Sequence, residues 1–172
     1  MKQTTNKIIA VVFFSLVATV TPASTVAANS RSLDIISEDD IVPINVRIAC
    51  DVWGEKYNIC PELLEAIAYH ESRFTQYAKN ETCVGVMQVN TAAHGDRMKK
   101  LEVSDIYDID CNVMVAADYL AELFAENEDV SVVLGLYHGE RNAKKRAENG
   151  NLSSYVRAIL EKSEELERLH GK

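Results

Sequence analysis

Several things are missing from this 172-residue sequence, and each absence removes a class of function. The most apolar stretch, Ile8 to Val20, has 13 residues, short of the roughly 20 that a membrane-spanning helix needs. Basic residues are outnumbered, 18 against 26 acidic. That balance argues against nucleic acid or an anionic membrane surface as a partner, since both favour a basic face. The run Lys144-Lys145-Arg146 reads as a solvated helix face. No Cys-x-x-Cys pair is present, which argues against a structural zinc site. There is no Gly-x-Ser-x-Gly elbow, no P-loop and no dinucleotide fingerprint, and there is no internal repeat or low-complexity tract.

The N-terminus has its own pattern. Lys2 and Lys7 precede the apolar run, and small residues follow it through Ala28, which reads as a secretory signal peptide over residues 1–28 with cleavage after Val26-Ala27-Ala28. Removing it takes away two lysines and no acids, so the net charge goes from -8 to -10. An exported chain with four cysteines, Cys50, Cys60, Cys83 and Cys111, is expected to carry two disulfides. Three pairings are open; Cys50 with Cys60 and Cys83 with Cys111 is favoured because the first closes a short loop and the second tethers a loop to a later helix. Free thiols are the alternative.

Residues 29–43 are polar and acidic and read as a flexible arm. From residue 44 to 172 the pattern is helical and fits a single domain. Ile44, Ile48, Val52 and Trp53 mark the expected core face of a first helix, which Asn58 ends. Pro61 suits the first turn of a second, with Glu62 and Glu65 placed for the positive end of its dipole. Residues 78–95 read as a loop or short irregular element. Val113, Ala116, Ala117, Leu120 and Phe124 mark an amphipathic helix. Val130 to Tyr137 is nearly all apolar and reads as a buried helix, because no second strand candidate offers it a partner. Leu152, Tyr155, Val156, Ile159, Leu160, Leu166 and Leu169 mark a terminal helix with Ser153 or Ser154 as its cap.

The stretch His70-Glu71-Ser72-Arg73-Phe74 begins like the zinc-protease pattern His-Glu-x-x-His but carries phenylalanine where the second histidine must stand, so the metal reading fails. At 100° per residue, Glu71 falls inside the apolar arc of the second helix with Leu64, Ile67 and Ala68. It also sits at the helix C-terminal end. Lost water and the negative end of the dipole both disfavour the anion, and a glutamic acid that keeps its proton is a general acid. The plainer alternative is a glutamate neutralised by Arg73 or another cation.

Three blocks carry a resemblance to the lytic transglycosylases of the soluble-lytic-transglycosylase type, relatives of goose-type lysozyme. "AIAYHESRF" looks like the family's helix ending in Glu-Ser-x-Phe. Gly85-Val86-Met87-Gln88-Val89-Asn90 is similar to its Gly-Leu-Met-Gln-Ile-Asn. Tyr137-His138-Gly139 with Tyr155-Val156 looks like its Tyr-Asn-x-Gly segment and later Tyr-Val helix, and Asn112 and Tyr119-Leu120 fit the helix between. The departures are His138, where the family usually has asparagine, and Gly139, one residue early.

The resemblance implies a mainly α, lysozyme-like domain of the α+β superfamily with a substrate cleft, cutting peptidoglycan between N-acetylmuramic acid and N-acetylglucosamine. Glu71 would be the catalytic acid and then base, leaving a 1,6-anhydro sugar. Ser72, Met87, Gln88, Asn90, Tyr137 and Tyr155 would bind substrate, with Met87 as an apolar floor and Tyr137 holding or polarising Glu71. One carboxylate suffices for that reaction, whereas ordinary glycosidases pair two. Asp96, Asp105, Asp108 or Asp110 as a second would make a hydrolytic lysozyme, although capping and solvated roles suit them better. An inactive exported peptidoglycan-binding module is the reading from a different class. No metal or organic cofactor is called for. The expected partner is the glycan strand, acted on by a monomer in the periplasm or outside the cell, with local remodelling for a secretion or conjugation apparatus as one setting.

Overall fold

The computed structural model describes residues 42–172, so the expected signal peptide and almost all of the expected arm lie outside the described residues. The described chain is mainly helical: α1 (Ile44–Tyr57), α2 (Pro61–Ser72), β1 (Cys83–Val84), β2 (Val89–Asn90), α3 (Gly95–Lys100), α4 (Ile109–Glu126), α5 (Val130–Tyr137), α6 (Ala143–Glu148) and α7 (Ser154–Leu169). The expected loop at 78–95 contains a small antiparallel hairpin, pairing Cys83 with Asn90 and Val84 with Val89.

Helix α2 is the centre of the fold. It begins at Pro61, and every residue from Glu62 to Ala68 is buried; a helix covered on all sides needs neighbours all round, and α1 and α7 supply them. Asp108 caps α4 by accepting from the Cys111 amide, and Ser153 caps α7 by accepting from Val156.

The expected core face of α1 is corrected. Ile44, Ile48 and Val52 are 70%, 55% and 49% exposed, while Val46, Ala49, Cys50 and Gly54 are buried. Close approach explains the reversal: a Cβ on Gly54 would lie 2.8 Å from the Ile59 carbonyl oxygen and 3.2 Å from the Pro61 ring, so the interface is built from small residues. Ile48→Ser is therefore expected to change stability by less than about 0.5 kcal/mol. Ala49→Leu should cost about 1–3 kcal/mol by over-packing. Urea unfolding of the two variants checks the assignment.

The expected disulfides are also corrected: all four cysteines are free thiols. Each meets different surroundings. Cys50 is buried in the core side of α1, where burial, followed by the charges of Glu65 and Asp51, pushes its thiol well up. The Cys60 thiol instead donates to Glu62 Oε2 at 3.0 Å. Cys83 opens β1 beside the Thr82 hydroxyl at 3.6 Å, and Cys111 lies in the first turn of α4.

Glu62 and Glu65, expected at the positive end of the α2 dipole, are both buried. The chain's last residues reach them. Glu62 accepts from Lys172 Nζ at 2.9 Å and pairs with His170 Nδ1 at 2.9 Å. Neither Glu65 oxygen has a hydrogen-bond partner, and His170 Nδ1 is 3.9 Å away. Burial alone would raise Glu62, but hydrogen bonds from Lys172, Cys60 and His170 outweigh it and hold the carboxyl down at about 2. Burial, then the charge of Glu62, pushes Glu65 up to about 7 against the pull of Arg47.

The two carboxyls have opposite pH signatures. The contribution of Glu62 is complete above its unfolded value of 4.5 and is lost as the pH falls through about 2. Glu65 keeps its proton in the folded state up to about 7 but loses it at 4.5 when unfolded, so stability declines as the pH rises through that window. Glu65→Gln is expected to remove this decline, measured as the change in urea midpoint between about pH 4 and about pH 7.5, on either side of that window.

Candidate active site

The end of α2 opposite Glu62 is shaped by two consecutive left-handed residues, Arg73 at φ 52° and Phe74 at φ 60°. Their amides close back on Tyr69 and Ala68 at 2.9 and 3.5 Å. Phe74 packs against the Tyr69 ring at 5.6 Å, and the Arg73 guanidinium lies over that ring at 4.0 Å. Arg73 is thus engaged with Tyr69, and Glu71 is left in the last turn of the helix. The Ser72 hydroxyl donates to the carbonyls of Ala68 and Val86 at 3.2 and 2.8 Å. It ties the helix end to the following loop.

That loop, Val84 to Gln88, is held from three sides. Gly85 turns the chain at φ 78°, and a Cβ there would lie 2.2 Å from the side-chain nitrogen of Asn112. Asn112 is fully buried on α4; its Oδ1 accepts from the Met87 amide at 2.8 Å, and its Nδ2 donates to Val84 and Ile106 carbonyls at 3.1 and 2.9 Å. Tyr137 Oη donates to the Met87 carbonyl at 2.9 Å. Gln88, at φ 48°, is fixed by Nε2 donating to Gly85 O at 2.9 Å and by Asn80 Nδ2 donating to its Oε1 at 3.1 Å.

The first turn of α7 brings in Tyr155. Its hydroxyl donates to Glu71 Oε1 at 2.6 Å, a short charge-assisted geometry when the carboxylate is ionised. Burial first, then the charge of Glu71, pushes the Tyr155 phenol far above its ordinary value, and the same two causes raise Tyr137. Both phenols stay protonated and act as donors. The Tyr155 ring is flanked by His138, stacked at 3.8 Å and 15°, and by His70, edge-on at 4.9 Å and 77°. Burial lowers His70, partly countered by the charge of Glu71.

Glu71 opens into a pocket of about 350 Å³, with Asn80, Cys83, Gln88, Asn90, His94, Tyr119, Tyr137, His138 and Gly139 among its walls. Glu71 is the one carboxylate among these lining residues. Of the residues singled out in the sequence, Glu71, Gln88, Asn90 and Tyr137 line it. Met87 does not: it is fully buried behind the loop. Ser72 holds the loop with its hydroxyl, and Tyr155, buried behind Glu71, occupies the place expected of Tyr137. Asp96 pairs with Lys99, Asp105 accepts from the Tyr107 amide, Asp108 caps α4, and Asp110 accepts from the Trp53 indole. None of the four lines the pocket.

Asn80 and His94 join the site without a sequence signal of their own, and Tyr119, which the resemblance placed only on the intervening helix, lines the pocket. Asn112 did carry one: it is a polar residue one turn before Ala116 on an apolar helix stripe, where only a side chain with satisfied hydrogen bonds is tolerated. A family model described as the transglycosylase SLT domain matches residues 49–156. No match was found among the curated proteins. The matched span runs from α1 into the first turn of α7, so it takes in both Glu71 and the tyrosine bonded to it, and the chain belongs to the SLT transglycosylase domain family.

Proposed function

We propose that this protein is an exported lytic transglycosylase that cleaves the β-1,4 bond between N-acetylmuramic acid and N-acetylglucosamine and leaves 1,6-anhydro ends. Its family acts on peptidoglycan in the cell envelope. The observation that carries the finer reading is that Glu71 is the one carboxylate among the residues lining the pocket. A hydrolase of the usual kind places two carboxyl groups across the bond. An internal reaction needs one.

In the first step Glu71 gives its proton to the glycosidic oxygen as the bond from muramic acid C1 to that oxygen breaks, and the N-acetylglucosamine hydroxyl departs. Positive charge develops at C1 opposite a new carboxylate, which Tyr155 stabilises through its bond to Oε1. In the second step the muramic acid C6 hydroxyl attacks C1, and Glu71 takes its proton. The acid is restored and no water is consumed. Gln88, fixed on the loop, and Asn90, Tyr119 and His94 of the wall offer polar and aromatic contacts for the sugars.

The test is the product. Mature protein incubated with purified peptidoglycan is expected to release muropeptides one water lighter than reducing-end products, identified by mass spectrometry, and Glu71→Gln is expected to release none at the same enzyme concentration. Reducing ends would support a hydrolytic lysozyme instead. No release by the wild type would favour an inactive binding module.

A further inference from the structure

His138 has no part in the reaction as described, yet it is held against the machinery. Its amide bonds to the Leu134 carbonyl at 3.0 Å at the C-terminal end of α5, where the helix dipole favours a cation. Its ring lies parallel to the Tyr155 ring at 3.8 Å, and Tyr155 holds Glu71 Oε1. His138 is also among the residues that line the pocket.

We infer that His138 is a positioning residue for the reaction proposed above: through the face of Tyr155 it sets how strongly that phenol donates to Glu71, and it does so according to its own protonation. The inference rests on that proposed reaction. An imidazolium on the face of an aromatic ring is attracted to its electron density. Drawing that density away sharpens the phenol O–H as a donor and favours the Glu71 anion. The positive charge itself acts in the same direction. A protonated His138 therefore eases departure of the Glu71 proton, while a neutral one leaves that proton more firmly bound. By reciprocity, an ionised Glu71 favours protonation of His138.

The other groups around this pair are identifiable. From α2 come His70, whose ring stands at 77° to that of Tyr155, and Glu71 itself. Tyr137 and Glu140 act on Tyr155 from α5 and the turn after it, and Glu140 lies 3.6 Å from Arg146 Nε. His70 stands at 77° to the Tyr155 ring with centroids 4.9 Å apart, whereas His138 lies parallel to it at 3.8 Å and is the closer imidazole.

Two measurements test this. The first needs no substrate: the His138 imidazole is titrated by NMR, its signals assigned by their loss in His138→Phe. The midpoint is expected to fall from wild type to Glu71→Gln, and the fall is expected to shrink when Tyr155→Phe is present in both backgrounds. An unchanged midpoint, or a fall of the same size without the phenol hydroxyl, would overturn the route through Tyr155. The second is the pH profile of kcat on peptidoglycan. His138→Phe retains a ring to stack and His138→Asn retains polarity, but neither titrates. Both are expected to lose one ionisation from the profile while KM stays within about twofold, a factor worth under 0.5 kcal/mol. A profile superimposed on that of the wild type would sink the inference and leave the transglycosylase reading intact. A rise in KM with kcat unchanged would make His138 a sugar contact instead. A wild type that releases no glycan would sink both readings, whatever the titration shows.

Discussion

Glu71→Gln is expected to lower the rate of glycan release by about 10³- to 10⁴-fold, the upper part of the range for one acid–base group. Two facts place the loss that high. The same side chain serves both proton transfers in the proposed reaction, and no other lining carboxylate is at hand to replace it. Glutamine is close to glutamate in shape, and its amide oxygen can still accept from Tyr155, so the thermal midpoint should move little. Glu71→Asp makes a useful contrast. It keeps the acid but withdraws it from the 2.6 Å bond to Tyr155, and its rate should fall between those of wild type and glutamine. The measurement is soluble muropeptide release under steady-state conditions. Undiminished activity in Glu71→Gln would remove Glu71 from the mechanism.

The largest effect on stability is expected from Asn112→Ala, at about 3–5 kcal/mol by urea unfolding. The side chain serves three backbone groups from a fully buried position. Without it the Met87 amide and the carbonyls of Val84 and Ile106 lose this partner, and each buried polar group left unpaired costs about 1–3 kcal/mol. Gly85→Ala should be similarly damaging, since a Cβ would collide with the Asn112 amide and φ is 78°. The two losses should not add. Once Asn112 is truncated the collision disappears, so Gly85→Ala in that background should cost only its backbone strain, about 1–2 kcal/mol. A double-mutant cycle in urea reads this directly. Additive losses would mean that the loop is not held by the clasp seen here.

Periodicity disclosed α4 and α7 because their apolar residues recur on one face, where Val113 and Ile159 placed them, while α5 was read as a helix only from an apolar run with no strand partner. It misread α1 because size and burial part company there. The large residues face solvent, while alanine, cysteine and glycine form the tight contact. Glu71 was legible because its helical angle and the adjoining Ser72 and Phe74 agree. The division of labour between the two tyrosines was not. Tyr137 and Tyr155 are chemically equivalent, and only the docking of α7 decides which one meets Glu71 and which meets Met87. The burial of Glu62 was hidden for a similar reason, since its partner Lys172 lies 110 positions away and no local pattern records the pairing.

Helices α2 and α7 run in opposite directions and are fastened at both ends, Glu62 to His170 and Lys172 at one and Glu71 to Tyr155 at the other. Nine residues of α2 separate the fastenings, a rigid rod of about 14 Å. Loss of the His170 and Lys172 side chains would remove nothing that lines the pocket, yet it would free one end of the pair whose other end holds Glu71 Oε1. A change at His170 and Lys172 would then be felt at the opposite end of the rod, in how firmly Glu71 is held.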